Sequence, residues 1–261
     1  MATLGFIGGG RVARILVGGW RRSGLNLGQV WVHEPDDQAF SVLQAVEPTC
    51  QRVAVEQAAS ADRVLLALHP PAFPSACGAI RSVLRPDSVV VSLAPKVTLE
   101  LLETGCGTPR VARVIPNAPS IVGQGYNPLA FGPRCDAAAK QSVLRLFAPL
   151  GLSPEVAEED LEAYAILTGM GPTYFWYQWE ALRQVVRGLG VKAEAGDAAL
   201  RAMITGAVST LLDSGLSPEQ VMDLVPVKPL AGHEPAMTAA YAEALPALHA
   251  KIHPPVVASG R

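Results

Sequence analysis

Thr3-Leu-Gly-Phe-Ile-Gly-Gly-Gly-Arg-Val-Ala13 is the stretch whose reading decides the fold. Residues 3–7 are a short apolar run, and from Arg11 to Arg22 apolar positions recur with helical spacing, so a buried strand, a tight turn and an amphipathic helix follow one another. Between strand and helix, Gly8-Gly9-Gly10-Arg11-Val12-Ala13 fits G-x-G-x-x-A in the context that gives this motif meaning. Gly8 makes the tight turn, Gly10 lets the backbone approach a pyrophosphate, and Ala13 permits close packing of helix on strand. The unpaired N–H groups of the helix start then face the anion. Gly8, Gly9, Gly10, Arg11, Val12 and Ala13 are therefore candidate cofactor-binding residues, against the plainer alternative of a glycine-rich turn without a ligand.

Glu34 follows a second short strand, Gln29 to His33, and lies 21 positions beyond Ala13. An acidic side chain there accepts hydrogen bonds from the adenosine ribose hydroxyls, which favours NAD (NADH). A 2′-phosphate at the same place would meet a like charge. The alternative is a solvated turn glutamate beside Pro35, Asp36 and Asp37.

Further along, Val64 to Leu68 and Ser88 to Leu93 read as buried strands, with weaker candidates at Val111 to Ile115 and Pro128 to Phe131. Helix-compatible segments separate them, so a mostly parallel sheet is expected. After about Glu158 the texture turns helical and rich in Ala and Leu, over Leu161 to Leu189, Ala195 to Leu212, Pro218 to Leu224 and Ala236 to Ile252. Gly169, Gly171 and Pro172 interrupt the first of these and predict a kink or a fresh helix start. The expected architecture is an α/β N-terminal Rossmann-type dinucleotide-binding domain over 1–158, followed by an all-α C-terminal domain over 159–261.

The 261 residues are 49% hydrophobic and only 17% charged, which excludes intrinsic disorder. A formal charge of -2 provides no electrostatic footprint for nucleic acid. Cys50, Cys77, Cys106 and Cys135 form no C-x-x-C pair, and His233, His249 and His253 lack metal-ligand spacing, so reduced cysteines and no metal site are expected. No basic segment followed by an apolar run opens the chain. One long uncharged stretch, Ala163 to Trp179, falls short of about 20 apolar residues, so neither export nor membrane insertion is expected and a cytoplasmic location is.

Four segments together resemble the pyrroline-5-carboxylate reductases: Gly5-Phe-Ile-Gly-Gly-Gly-Arg-Val-Ala13, Val64-Leu-Leu-Ala-Leu-His-Pro70, Val111-Ala-Arg-Val-Ile-Pro-Asn-Ala-Pro119, and Thr168-Gly-Met-Gly-Pro-Thr-Tyr174 with Glu180. They occur in the family's order over roughly residues 3 to 225. The resemblance implies hydride transfer from a nicotinamide cofactor to a cyclic imine, a place in proline biosynthesis, and a homodimer formed by the C-terminal helices. It also implies that Leu68, His69 and Pro70 lie along the cofactor, that Ala94 approaches the nicotinamide side, and that Asn117 matches the asparagine of the family's M-P-N-T-P run.

Three departures stand out. Glu34 replaces the serine or arginine with which many relatives accommodate NADP, a cofactor the resemblance keeps open. His69 replaces a lysine. The family's S-P-G-G-T-T loop, which holds the substrate carboxylate and ring nitrogen, is replaced by Pro226-Val-Lys-Pro-Leu-Ala-Gly-His-Glu-Pro235.

Asn117, Glu180 and Lys228 are the catalytic candidates. Asn117 either meets nicotinamide ribose or substrate, or stabilises the turn between Pro116 and Pro119. Glu180 is either partly buried with a raised pKa, or a surface partner of Arg183 at i+3. Lys228 either holds a substrate carboxylate as a point charge or is a solvated loop residue. Tyr174, Phe175, Trp176, Tyr177 and Trp179 spread round one helix, which suggests burial on several sides, as in a dimer core. Two further functions stay open: a dehydrogenase of another small substrate such as a hydroxy acid, and a dinucleotide-binding dimer without turnover.

Overall fold

The computed structural model describes residues 3–253. Strand β1 (Thr3–Ile7) is buried at every position and leads into helix α1 (Arg11–Ser23). Then come β2 (Gln29–His33), α2 (Asp37–Val46), β3 (Gln51–Arg52), α3 (Val55–Ala59), β4 (Arg63–Leu66), α4 (Phe73–Arg81), β5 (Val89–Ser92), α5 (Leu99–Cys106) and β6 (Val111–Val114). The sheet region closes with β7 (Gly125–Tyr126), β8 (Leu129–Phe131), α6 (Ala137–Phe147) and β9 (Gly151–Leu152).

Seven strands form one sheet in the order β3-β2-β1-β4-β5-β6-β8, parallel except for β8. Helices cover both faces, which is why the central strands are continuous apolar runs rather than alternating ones. One core cluster gathers around Leu16, Val17, Trp20 and Phe147, the other around Leu66, Phe73, Ile80 and Leu102. Trp20 is fully buried between Phe6 and Phe147, and its indole N–H donates to the Leu146 carbonyl at 2.6 Å. A side chain at Gly5 would overlap the Ala58 carbonyl, so glycine is required where α3 crosses β1. All four cysteines are free and buried, and the Cys77 and Cys106 sulfurs lie 2.9 Å apart between α4 and α5.

Strand order reverses between β1 and β4, the place where doubly wound sheets open a crevice at the carboxyl ends of their strands. Sequence extents match at β1 and β2, β4 begins one residue earlier and ends two earlier than read, and β5, β6 and β8 are shorter by one or two residues, while the two-residue strands β3, β7 and β9 have no sequence signal. Val111 to Ile115, read as a weak strand, is the fully buried β6.

The described residues fall into two compact units, 3–170 with 248–253, and 171–247. The division after residue 170 differs from the reading at 158/159. Helix α7 (Leu161–Tyr164) and a π-helical turn, Ala165–Met170, stay with the sheet because Leu161, Glu162 and Ala165 are buried in it. The interruption read from Gly169, Gly171 and Pro172 is present: α8 (Pro172–Gly188) is a fresh start with Pro172 in its first turn, where the missing N–H costs nothing.

The second unit consists of α8, α9 (Ala193–Asp213), α10 (Pro218–Asp223) and the start of α11 (Glu234–Ile252). None of these helices has a buried residue. Burial of the α8 aromatics is not met within one chain: Phe175, Trp176 and Tyr177 are exposed, Tyr174 and Trp179 half-buried. Phe175 stacks on Trp179, and Tyr174 meets Tyr241 edge to face.

Candidate active site

A cavity of about 540 Å³ opens at the carboxyl ends of β1, β2 and β4. Gly8, Gly10, Glu34, Leu68 and His69, distant in sequence, line it together. Gly8 has φ +97°, and an added Cβ would stand 2.5 Å from the Ala67 carbonyl oxygen, so the tight turn excludes a side chain. Gly10 differs, since a Cβ there would meet nothing within 4 Å. It caps α1 without a side-chain acceptor, leaving the first N–H groups of the helix unpaired. An open cradle in front of an uncapped helix start suits a pyrophosphate, so the residues present fit a dinucleotide.

Glu34 is half-buried beside this turn. Its Oε2 accepts the Gly9 N–H at 2.8 Å and its Oε1 accepts the Asp36 N–H at 2.9 Å. Each oxygen retains a lone pair for a further donor. Arg52, which the sequence did not single out, braces the loop: its guanidinium donates to the Glu34 and Pro35 carbonyls at 2.7 and 2.6 Å and pairs with Asp37.

Ala13 is fully buried and packs α1 onto the sheet, Val12 is half-buried against the same core, and Arg11 is exposed at the helix start. Pro70 begins a short 3-10 turn after β4, and Ala94 is buried in the turn after β5. Ser75, Ala76 and Ala79 of α4 complete one wall of the cavity. They carry no sequence signal, because their position depends on where α4 crosses the sheet.

Asn117 is buried, with its side chain committed to the chain itself. Its amide nitrogen donates to the Thr168 carbonyl at 3.1 Å, and its oxygen accepts the Tyr126 N–H at 3.2 Å. Of the two readings of Glu180, the structure shows the surface partner of Arg183 and not the partly buried, raised carboxyl. It is exposed and bonded to Arg183 at 2.6 Å, and the Arg183 hydrogen bond holds its pKa below the ordinary carboxylate range. Lys228 is exposed on the loop after α10. Among the described residues no three His, Cys, Asp or Glu side chains gather as a metal site requires, and no helix is long and apolar enough to cross a membrane.

Residues 3–96 match the family model described as NADP oxidoreductase coenzyme F420-dependent. Sheet, glycine turn and acidic partner suit a dinucleotide, and with the relatives that follow they make the chain a nicotinamide-dependent oxidoreductase. The chain is 30% identical to the pyrroline-5-carboxylate reductase of Escherichia coli K12 over 226 residues, 85% of this chain and 84% of that one. Among solved structures, a pyrroline-5-carboxylate reductase from Coxiella burnetii aligns with TM-score 0.66 at 28% identity, covering 96% of this chain and 93% of that one. The NADP-bound pyrroline carboxylate reductase of Plasmodium falciparum shares the fold, with TM-score 0.80 at 21% identity and 97% of both chains covered. The chain belongs to the pyrroline-5-carboxylate reductase family, enzymes that reduce C=N bonds.

Proposed function

We propose that this protein reduces the C=N bond of pyrroline-5-carboxylate, as in proline biosynthesis, and that it uses NADH in preference to NADPH. The bound dinucleotide supplies the hydride. The chain's part is to bind and orient it, to exclude water and to hold the acceptor, so few acid-base groups are needed. Backbone N–H groups of Gly8 to Ala13 hold the pyrophosphate, and Glu34 takes the adenosine ribose hydroxyls. Leu68, His69 and Pro70 lie along the cofactor, and Ala94 lies on its nicotinamide side. Asn117 keeps the turn before the Thr168 segment in shape. Lys228, on the segment standing in place of the family's S-P-G-G-T-T, is the cation we assign to the substrate carboxylate.

The observation that carries the cofactor choice is the Glu34 carboxylate beside the glycine turn, with Arg52 tied to the loop carbonyls. Steady-state assays with pyrroline-5-carboxylate and either dinucleotide test the reading: NADH-dependent turnover is expected. Tight dinucleotide binding without turnover would favour the non-catalytic alternative, to which the replaced substrate segment Pro226 to Pro235 lends some weight. Turnover of hydroxy acids alone would favour the other dehydrogenase reading.

The exposed apolar helices of residues 171–247 support a homodimer, since Trp176, Tyr177 and Leu212 leave more apolar surface in water than a lone chain usually carries. Sedimentation at micromolar protein is expected to show a dimer. Four free, buried cysteines suit a reducing compartment such as the cytoplasm.

A further inference from the structure

Among the described residues, Lys96 is the one non-glycine residue with positive φ, at +75°. It lies in the turn Ala94-Pro95-Lys96 at the carboxyl end of β5. A side-chain-bearing residue keeps this left-handed conformation only where its surroundings impose it.

Here the constraint is visible. The Lys96 N–H donates at 2.9 Å to Oε1 of Glu162, a carboxylate with no solvent exposure. That oxygen also pairs with the guanidinium of Arg113, equally buried on β6. A second arm of Arg113 meets Glu158 Oε1 at 2.9 Å, and the same Glu158 oxygen accepts the Leu99 N–H at 2.7 Å. One guanidinium thus anchors both ends of the segment from the β5 turn to the start of α5.

Arg113 Nε and Glu162 Oε2 have no hydrogen-bond partner among the described residues. A buried ion pair left incompletely satisfied is a poor source of net stability. Its benefit is sought in the conformation it imposes.

The sheet says what that turn is for. If Glu34 at β2 takes the adenosine ribose and the β1 turn takes the pyrophosphate, the remaining half of the dinucleotide extends across β4 towards β5, where the Ala94 to Lys96 turn stands. The β4 and β5 ends are flush, with Leu66 paired to Ser92.

We propose that Glu162, charge-balanced by Arg113, is a positioning residue for the nicotinamide half of the cofactor, acting through the Lys96 N–H. The inference rests on the dinucleotide reading above. Glu162 touches neither cofactor nor substrate; it fixes the backbone that does.

The test measures NADH affinity and kcat in the full-length protein, with melting temperature as a separate readout. Glu162→Ala should weaken NADH binding about tenfold, the scale of a lost hydrogen bond to a charged group. Glu162→Gln, which retains an acceptor, should keep most of the affinity. Lys96→Gly in the Glu162→Ala background should restore most of the binding without restoring the melting temperature, because glycine adopts the turn unaided. Lys96→Val, which resists positive φ and leaves the buried pair intact, should weaken NADH to a similar degree, and it decides the matter if Glu162→Ala fails to fold. Wild-type affinity in Lys96→Val, or a folded Glu162→Ala whose defect Lys96→Gly does not relieve, overturns the inference. Wild-type protein that binds neither NADH nor NADPH overturns the functional reading itself, and the inference with it.

Discussion

The Gly9 amide donates to the Glu34 carboxylate across 2.8 Å, joining the turn after β1 to the end of β2. That bond places the carboxylate beside the glycine turn, within the same cavity as Gly8 and Gly10.

Replacing Glu34 with Ala should raise KM for NADH by about tenfold or more, given roughly 1.5–3 kcal/mol for hydrogen bonds to a charged acceptor. The preference for NADH over NADPH in kcat/KM should shrink, since the like charge facing a 2′-phosphate is gone. An unchanged ratio would remove Glu34 from cofactor selection.

Gly10→Ala separates binding from folding. No protein atom lies within 4 Å of the added Cβ, so the melting temperature should stay close to that of the parent. The Kd for NADH should rise by about tenfold or more, because the methyl occupies space the pyrophosphate needs and charge-assisted N–H bonds are lost. Calorimetric titration alongside thermal melting reads both.

Trp20→Phe is a stability probe remote from the cavity. It leaves the buried Leu146 carbonyl without its indole donor and opens space between Phe6 and Phe147. A loss of about 2–3 kcal/mol is expected in denaturant titration. NADH affinity should remain that of the parent.

Arg183 bonds both Glu180 and Asp197, and these hydrogen bonds hold both carboxyls below their ordinary pKa. A folded-state pKa below the unfolded value contributes stability above the unfolded pKa, and that contribution is lost as pH falls through the depressed one. The helices of residues 171–247 should therefore weaken in acid, below about pH 4. Arg183→Met should flatten this dependence in helix melting by circular dichroism, and an unaltered acid limb would show that the exposed pairs contribute nothing.

Local sequence carried much of this protein. β1, the glycine turn and α1 were readable because the rule behind them is short-ranged: a strand buried on both faces is apolar throughout, and only glycine fits at Gly8 of the turn. Glu34 was readable from spacing alone. Glu180 was readable in part: its pairing with Arg183 at i+3 is visible in sequence, but Asp197, which holds the other side of the same guanidinium, comes from α9. Burial also misled at 159–170, where helical texture concealed that Leu161 and Glu162 face the sheet.

By itself, then, the sequence determined the dinucleotide-binding half, the helical half and the family, because each follows from periodicity, glycine placement and motif order along the chain. Tertiary structure decided that α7 belongs with the sheet, that Arg52 braces the Glu34 loop, and that Arg113, Glu158 and Glu162 converge on the turn after β5. Those relations join segments 15 to 66 residues apart. Hydrogen-bond geometry and burial set them, and neither leaves a periodic trace in the chain.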